Sequence, residues 1–311
     1  MTPLLVAVLA SVTLGNRADT TLTVHSGGRL EVSNFAGSVA VSAWGRDAVR
    51  IRVRSGAGTE VEVSPSLGGL EVSSSDRRGP PERVEYDITA PTWMPIDVSG
   101  PMNDVEIDGS KASVKVETVN GSVTLRGGNG NIELSSVNGD VAVTGASGRL
   151  KISAISQGVT ASRLAGQAEI ETVNGDILLD DSQLDALDAS SVSGNLWMSG
   201  TLREQGRYNL ESHNGDIQVV MPDQPNARVT VSTYSGELSS DFAVGLSRLS
   251  SKENVNFTLG SGGAHLDLQS FSGRIQLLKA SDVEAMRRTL KSSRPAKEKE
   301  EDSKKSDDSD D

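Results

Sequence analysis

The sequence predicts an all-β, single-domain parallel β-solenoid, or β-helix, with coils of about 19 residues. Three observations lead to this prediction. A short motif recurs, and its clearest copies end in Thr118-Val-Asn-Gly121, Ser136-Val-Asn-Gly139 and Thr172-Val-Asn-Gly175. Apolar and polar residues alternate on both sides of each glycine, which is the pattern of β-strands with one buried face. The central glycines recur at nearly constant intervals, which is typical of stacked repeats, at positions 121, 139, 158, 175, 194, 215 and 236.

Each repeat is predicted to be two short strands joined at a corner. A residue that tolerates positive φ, followed by one that prefers it, suits a sharp turn, so Asn-Gly and Ser-Gly mark the corners. We expect the asparagines to contribute to a polar ladder between coils, with a large cost of substitution if they are buried. The predicted corner and ladder residues are Gly37, Asn120, Gly121, Asn138, Gly139, Asn174, Gly175, Gly194, Asn214, Gly215, Gly236 and Gly273.

An antiparallel β-meander is the alternative fold, because Asn-Gly is also the strongest short-range signal for a two-residue hairpin. The recurring Ser or Thr three residues before the glycine favours the solenoid, in which identical polar residues lie above one another. The copy around Gly158 keeps its alternation only with a corner two residues shorter, so we expect an irregular coil there.

Four segments follow from these patterns. Residues 1–19 are predicted to be a signal peptide, with an apolar run too short to span a bilayer. Residues 20–280 are the repeat domain, in which residues 42–110 form the first, less regular coils. Residues 281–291 form a short capping helix that opens on the capping box Ser281-Asp-Val-Glu284. Residues 292–311 are a charged tail whose composition predicts disorder.

The composition excludes several kinds of chemistry. Cysteine is absent, which removes disulfides and thiolate sites, and a net charge of −12 disfavours nucleic acid as a partner. His25, His213 and His265 lie in different repeats without a second ligand at metal spacing. Solvation explains two groups of acidic residues. The first group follows the corners and consists of Asp140, Asp176 and Asp216; the second lies in one segment and consists of Asp180, Asp181, Asp185 and Asp188. We therefore predict no catalytic, metal or cofactor residues, and no cofactor.

The Thr/Ser-x-Asn-Gly-Asp-Val units, preceded by the opening segment Val32-Ser-Asn-Phe-Ala-Gly-Ser-Val-Ala-Val-Ser-Ala-Trp44, resemble the bacterial putative-adhesin β-strand-repeat family. That family includes the LiaG-like proteins and is a domain of unknown function. The resemblance covers roughly residues 20–278 and implies a β-helical fold outside the cytoplasmic membrane. It supplies no catalytic or ligand residues.

Together these patterns predict a non-enzymatic, exported cell-envelope or surface protein, acting as an adhesin-like or scaffold binding module in the periplasm or at the cell surface. The expected partner is an envelope or surface protein or a glycan of unknown identity, and the mature chain is expected to have no transmembrane span. Two alternatives stay open at this stage: an accessory factor in envelope-stress sensing, and a polysaccharide-active β-helix enzyme. The enzyme requires a cluster of carboxylates in a groove.

Overall fold

The residues that the structure describes fold almost entirely into β-strands, which confirms the all-β prediction. The structure, a computed structural model, describes residues 12–14, 17–56, 59–66, 68–76, 83–243 and 254–283. The strands of the first half are β1 (Val12–Leu14), β2 (Arg17–Thr23), β3 (Arg29–Ser33), β4 (Ala36–Trp44), β5 (Ala48–Arg54), β6 (Thr59–Ser66), β7 (Gly69–Asp76), β8 (Val84–Pro91), β9 (Ile96–Gly100), β10 (Met102–Ser110), β11 (Val114–Asn120), β12 (Val123–Gly127) and β13 (Asn129–Asn138). Those of the second half are β14 (Val141–Thr144), β15 (Ser147–Ala154), β16 (Val159–Ser162), β17 (Ala165–Thr172), β18 (Ile177–Ser193), β19 (Leu196–Gly200), β20 (Arg207–Asn214), β21 (Ile217–Met221), β22 (Ala227–Thr233), β23 (Leu238–Ser240), β24 (Asn254–Leu259), β25 (Ala264–Ser272) and β26 (Ile275–Lys279).

The strands form two sheets, and the pairing through the middle of both is parallel. In sheet A the strands β9, β11, β13, β15, β17, β18, β20, β25 and β22 stack in that order. In sheet B the order is β4, β10, β12, β14, β16, β18, β19, β21, β26 and β23. The chain alternates between the sheets, which is the connectivity of a solenoid and not of a meander.

The register shows that equivalent repeat positions lie above one another. Val114 pairs with Ile132, and Ile132 pairs in turn with Leu150, at equal intervals along the sequence. Farther along the chain the interval is longer, as between Leu187 and its partner Tyr208. Because every other side chain of a strand points to the same face, this register places the apolar set of each coil over that of its neighbour.

The core lies between the two sheets and consists mainly of Val, Ile and Leu. Val114 and Val116 of β11 and Val123 and Leu125 of β12 are at most 1% exposed, and they belong to one continuous buried cluster. β18 serves both sheets, since its first half pairs with β16 and its second half with β17. Asp181, with a φ of 47°, lies between the two halves, where the strand passes from one sheet to the other.

Both ends of the stack depart from sequence order. Residues 42–110, predicted to form the first, less regular coils, include strands that do not stack as coils. β5 and β6 pair antiparallel with β8 and β7, and β3 lies between β7 and β9. At the other end β25 lies between β20 and β22, and β24 pairs antiparallel with β22. The Gly273 coil therefore precedes the Gly236 coil in the stack, although it follows it in sequence.

The corner glycines are required for close packing between coils. A Cβ built on Gly139 would lie 2.0 Å from the carbonyl oxygen of Gly121, and one on Gly175 would lie 2.2 Å from that of Gln157. Among the predicted corners only Gly37 and Gly121 have φ in the range that favours glycine, at 132° and 155°. The positive φ expected at Gly139 and Gly175 is therefore wrong, and the steric reason for glycine there is the adjacent backbone.

The buried polar ladder is made by hydroxyl groups. The side chain three residues before the corner donates to a corner carbonyl of the preceding coil, as in Ser136 Oγ to Gly121 O at 2.9 Å and Ser212 Oγ to Gly194 O at 3.0 Å. Thr118, Thr172, Ser191 and Ser270 make equivalent bonds. All six side chains belong to residues at most 5% exposed.

The asparagine ladder is present only in part and is exposed. Asn138 Nδ2 donates to Asn120 Oδ1 at 3.0 Å, but both residues are exposed, as are Asn174 and Asn214. The burial on which a large cost of substitution at these asparagines depended is therefore absent.

The coil near Gly158 is not shortened, and its corner residue is Gln157. Ser136 pairs with Ala154 before the corner and Val141 with Val159 after it, so the two sides of the corner keep the same interval. The carbonyl of Gln157 accepts the hydroxyl of Thr172 at 3.1 Å, as the corner glycines do in other coils. The prediction of a corner two residues shorter is therefore wrong. It arose because Gly158 was taken as the corner residue, whereas the corner is its neighbour Gln157.

The two terminal predictions lie largely outside the described residues. Of the predicted signal peptide, residues 1–11, 15 and 16 are outside; β1 pairs antiparallel with β6, and β2 with β5. At the other end residues 280–283 are helical, and the backbone N–H of Ser281 donates to Asp223 Oδ1 at 3.2 Å. The rest of the predicted capping helix and the charged tail lie outside.

Candidate binding groove and corner ridge

A groove of about 1100 Å³ crosses the outer face of sheet A in the second half of the stack. Two rows of side chains line it, each formed by one outward position on successive strands. We call the first the arginine row, which contains Arg149, Arg207, His265 and Arg228. We call the second the carboxylate row, which contains Glu133, Glu169, Asp188 and Asp267.

The register of sheet A creates both rows. Arg207 pairs with His265, which pairs with Arg228, so these residues occupy one position on three adjacent strands. Two residues farther along the same strands, Asn209 pairs with Asp267. Adjacent strands are about 4.8 Å apart, so the side chains of each row follow one another along the solenoid axis at multiples of that spacing.

The groove differs electrostatically from the rest of the chain. Its charged lining residues are four basic ones, Arg149, Lys151, Arg207 and Arg228, and the four acids of the carboxylate row. The lining is therefore neutral, with His counted as neutral, in a chain whose net charge is −12. Positive charge is concentrated on one side of the groove and negative charge on the other.

Only one of the four basic groups in the groove has an ion-pair partner among the described residues. Lys151 Nζ lies 2.7 Å from Glu169 Oε1, and the hydrogen bond to this carboxylate raises the pKa of Lys151. The guanidinium groups of Arg149, Arg207 and Arg228 have no carboxylate partner in the described parts of the chain. Tyr208 packs beneath the groove, and burial raises the pKa of its hydroxyl.

A second surface, the corner ridge, follows the edge of the solenoid beside the corners. It is formed by the outward residue two positions before each corner: Val119, Val137, Ile155, Val173, Val192, His213, Phe271 and Tyr234. Its aromatic end is a stack, because the ring of Phe271 lies 4.7 Å from that of His213 and 4.8 Å from that of Tyr234. Phe271 and Tyr234 are nevertheless about half exposed.

Two of the acidic residues after the corners, Asp176 and Asp216, accept backbone hydrogen bonds in addition to being solvated. Asp176 Oδ1 accepts the backbone N–H of Asn195 at 2.7 Å, and Asp216 Oδ1 accepts that of Arg274 at 2.7 Å. Each carboxylate therefore holds the corner of the next coil in the stack. The described residues contain no group of three or more His, Asp or Glu side chains arranged to hold a metal ion.

The other residues considered in the sequence are dispersed. His213 belongs to the corner ridge and His265 to the groove, and Asp188 lies in the carboxylate row. Asp180 accepts the hydroxyl of Ser199, while Asp185 pairs with Arg203 at 3.5 Å. The predicted corner and ladder residues lie on the edge of the solenoid and not in the groove.

Sequence reasoning missed both surfaces, although the repeat alignment contained their signal. The position eight residues before the corner is basic in four coils, where it is occupied by Arg149, Arg207, Arg228 and His265. The corner of the Arg149 coil is Gln157. Two residues before the corner an apolar or aromatic side chain recurs where a solvated strand end is expected. Among the outward positions of the aligned repeats, one is therefore repeatedly basic and another is repeatedly apolar or aromatic.

Comparison with known proteins agrees with the geometry of the stack. The family model described as Toastrack DUF4097 matches residues 10–278. The chain belongs to the Toastrack DUF4097 family. This confirms the resemblance to a β-strand-repeat family of unknown function and assigns the β-helix-like Toastrack fold to nearly the whole described region. No curated protein is significantly similar to this Toastrack chain.

Three solved structures are similar to the Toastrack chain at low identity. They are a putative cell adhesion protein from Clostridium sporogenes (10% identity, TM-score 0.26, 85% of this chain and 99% of that one), a putative adhesin from Bacteroides fragilis (14%, 0.44, 86% and 97%) and a putative adhesin from Parabacteroides distasonis (13%, 0.49, 86% and 98%). Within the described residues, no helix of this Toastrack chain has the length and apolar character needed to cross a membrane.

Proposed function

We propose that the chain is a non-enzymatic, exported binding module, adhesin-like in role, that engages cell-envelope or surface material through the groove on sheet A. The groove is the observation that carries this proposal. It is an open concave surface of about 1100 Å³, lined by two ordered rows of polar and charged groups. A concave surface with convergent polar groups is a default candidate for a binding site.

The scaffold suits the binding of an extended ligand. The rows are built on paired strands of a continuous hydrophobic core, so their side chains project from rigid elements at a fixed spacing. Sites on such elements are held more precisely than sites on loops. The carboxylates of the groove lie in a row along the axis, where they suit repeated contacts with an extended polymer.

A steric block of the groove tests the proposal. Ala186 lies between Gln167 and Arg207 in the floor of the groove and is only partly buried. Replacing it by Trp, as Ala186→Trp, fills the middle of the groove with an aromatic side chain. The matched control is Ala142→Trp, at a partly buried outward position of β14 on sheet B.

The measurement is co-sedimentation of the purified full chain with washed fragments of bacterial cell envelope. The proposal expects the wild-type chain and Ala142→Trp to sediment with the fragments and Ala186→Trp to remain in solution. Equal sedimentation of all three would exclude the groove as the binding surface. If the wild-type chain stays in solution, the role as an envelope-binding module is wrong, and release of new reducing ends from the fragments would point to an enzyme.

Export is tested separately. A fusion of residues 1–30 to a reporter that is active only outside the cytoplasm is expected to be active, because the apolar segment before residue 15 is predicted to direct secretion. Full-length chain recovered uncleaved from the cytosol of the expressing cells would contradict this part of the proposal.

A further inference from the structure

The arginine row brings three unpaired guanidinium groups into one groove of an acidic chain. Several exposed basic residues elsewhere on the sheets lie against carboxylates, as in Arg50 with Asp19 at 2.5 Å and Arg52 with Asp87 at 2.7 Å. Other exposed arginines without an ion pair to a described residue, such as Arg163 and Arg274, lie outside the groove. Arg149, Arg207 and Arg228 have no such partner among the described residues, although the chain carries 42 acidic residues and 30 basic ones. Three donors of this kind in one groove are available to a ligand.

The arginine row runs along the solenoid axis, so it favours a ligand that extends in that direction. Arg207 and Arg228 flank His265 on adjacent strands, so two cationic groups lie about 10 Å apart along the axis, with an imidazole between them. A ligand with repeated anionic groups along the axis would receive bidentate hydrogen bonds from the guanidinium groups.

The opposite side of the groove indicates the rest of the ligand. Asp188, Asn209 and Asp267 present carboxylate and amide groups on three adjacent strands, and Asn209 Nδ2 is already oriented by Asp188 Oδ1 at 3.1 Å. Carboxylates accept hydrogen bonds, and an amide both donates and accepts them, so this side suits neutral hydroxyl groups and repels further anions. The ligand therefore needs anionic groups along one edge and hydroxyls along the other.

We infer that the groove binds an acidic, carboxylated polysaccharide laid along the solenoid axis, its carboxylates on the arginine row and its hydroxyls on the Asp188–Asn209–Asp267 side. This assignment rests on the proposed function and names its ligand class. An acidic peptide fits less well, because the two rows run across the strands. A peptide that pairs with the edge strand β24, which lines one end of the groove, would run along the strands instead.

The test uses defined polymers and a charge-neutralised variant. The probes are polygalacturonate, which is carboxylated, and dextran, which is neutral, with poly-glutamate and a poly(glycerol phosphate) as anionic controls. The variant is Arg207→Gln with Arg228→Gln. The matched control is Arg163→Gln with Arg274→Gln, which removes the same charge from two exposed arginines outside the groove.

The measurement is the dissociation constant of each full-length chain for each polymer at two salt concentrations. We expect polygalacturonate to bind the wild-type chain, the groove variant to bind it about tenfold or more weakly, and the control pair to bind it normally. The salt dependence of binding is expected to be smaller in the groove variant, because fewer charge contacts remain to be screened.

Other outcomes overturn the inference without removing the proposed function. Equal binding of dextran would show a groove that recognises hydroxyls alone. Tighter binding of poly-glutamate or of the phosphate polymer would replace the carboxylated glycan by an acidic peptide or a phosphodiester chain. If envelope fragments sediment with the wild-type chain but not with Ala186→Trp, while polygalacturonate does not bind, the groove is the site and the ligand class is wrong.

Discussion

At the scale of single residues, the corner glycines are governed by the distance between stacked backbones. Replacing Gly139 by Ala places a Cβ 2.0 Å from the carbonyl oxygen of Gly121, which the structure can accommodate only by separating two coils. We expect Gly139→Ala to lower the free energy of unfolding by about 1 to 3 kcal/mol, as overpacking does in other cores. Urea denaturation monitored by circular dichroism measures it.

The control for this prediction is another turn glycine of the same chain. A Cβ on Gly45 has no heavy atom within 4 Å, and the φ of Gly45 lies outside the left-handed region. Gly45→Ala is expected to leave stability unchanged or raise it by about 0.4 to 1 kcal/mol through the unfolded state. Equal effects at the two glycines would show that contact between coils does not determine the corner residue.

The hydroxyl ladder and the asparagine ladder are expected to differ in energy although they lie two residues apart. Ser136 is 1% exposed, and its hydroxyl is a buried donor to Gly121 O, so Ser136→Ala is expected to cost about 1 to 3 kcal/mol. Asn138 is exposed, and Asn138→Asp is expected to change stability by less than about 0.5 kcal/mol. Melting curves of the two variants at neutral pH distinguish them, and a larger loss for Asn138→Asp would reverse this assignment.

At the scale of structural elements, the aromatic end of the corner ridge joins three strands of sheet A. Phe271 of β25 stacks on His213 of β20 on one side and on Tyr234, which follows β22, on the other. Stacked pairs contribute about 0.5 to 1.5 kcal/mol each beyond the area that they bury. Phe271→Ala is therefore expected to cost about 1 to 3 kcal/mol despite the exposure of the ring.

Val192 provides the comparison for Phe271 on the same ridge. Its side chain is about half exposed, so Val192→Ala is expected to be close to neutral. Thermal unfolding of both variants tests the difference. A neutral Phe271→Ala would mean that the stacked rings contribute nothing measurable to the cohesion of the three strands.

At the scale of the whole molecule, the order of coils determines which parts of the chain are dispensable. β25 and β26 lie inside the stack, between β20 and β22 and between β21 and β23. In a solenoid each repeat is stabilised mainly by its neighbours, so removal of an interior repeat breaks two interfaces. A chain that ends at residue 262 is therefore expected to lose cooperative unfolding.

A chain that ends at residue 291 is the matching control, because it lacks only the predicted charged tail. It is expected to have the melting temperature of the full-length chain. Circular dichroism of both truncations makes the comparison. A native melting transition in the chain that ends at residue 262 would show that the Gly273 coil is not an interior member of the stack.

The local sequence pattern was sufficient for the strands of the regular repeats and for their buried faces. Alternation around Val114 and Val116 predicted the core residues of β11, because a strand with one buried face has no other periodicity. The recurrence of Ser or Thr before each glycine correctly indicated coils stacked in parallel. These features depend on interactions within a coil or between equivalent positions of neighbouring coils. They can therefore be predicted from the pattern of one sequence.

Tertiary structure alone decided the order of the coils at both ends, the true corner at Gln157 and the composition of the groove. Alternation is the same for a strand in any position of a stack, and it therefore does not show that β25 pairs with both β20 and β22. That insertion places His265 between Arg207 and Arg228. The sequence by itself determined which face of each strand is buried, because burial follows local hydrophobicity, whereas the outward rows depend on which strands become neighbours through hydrogen bonds between distant parts of the chain.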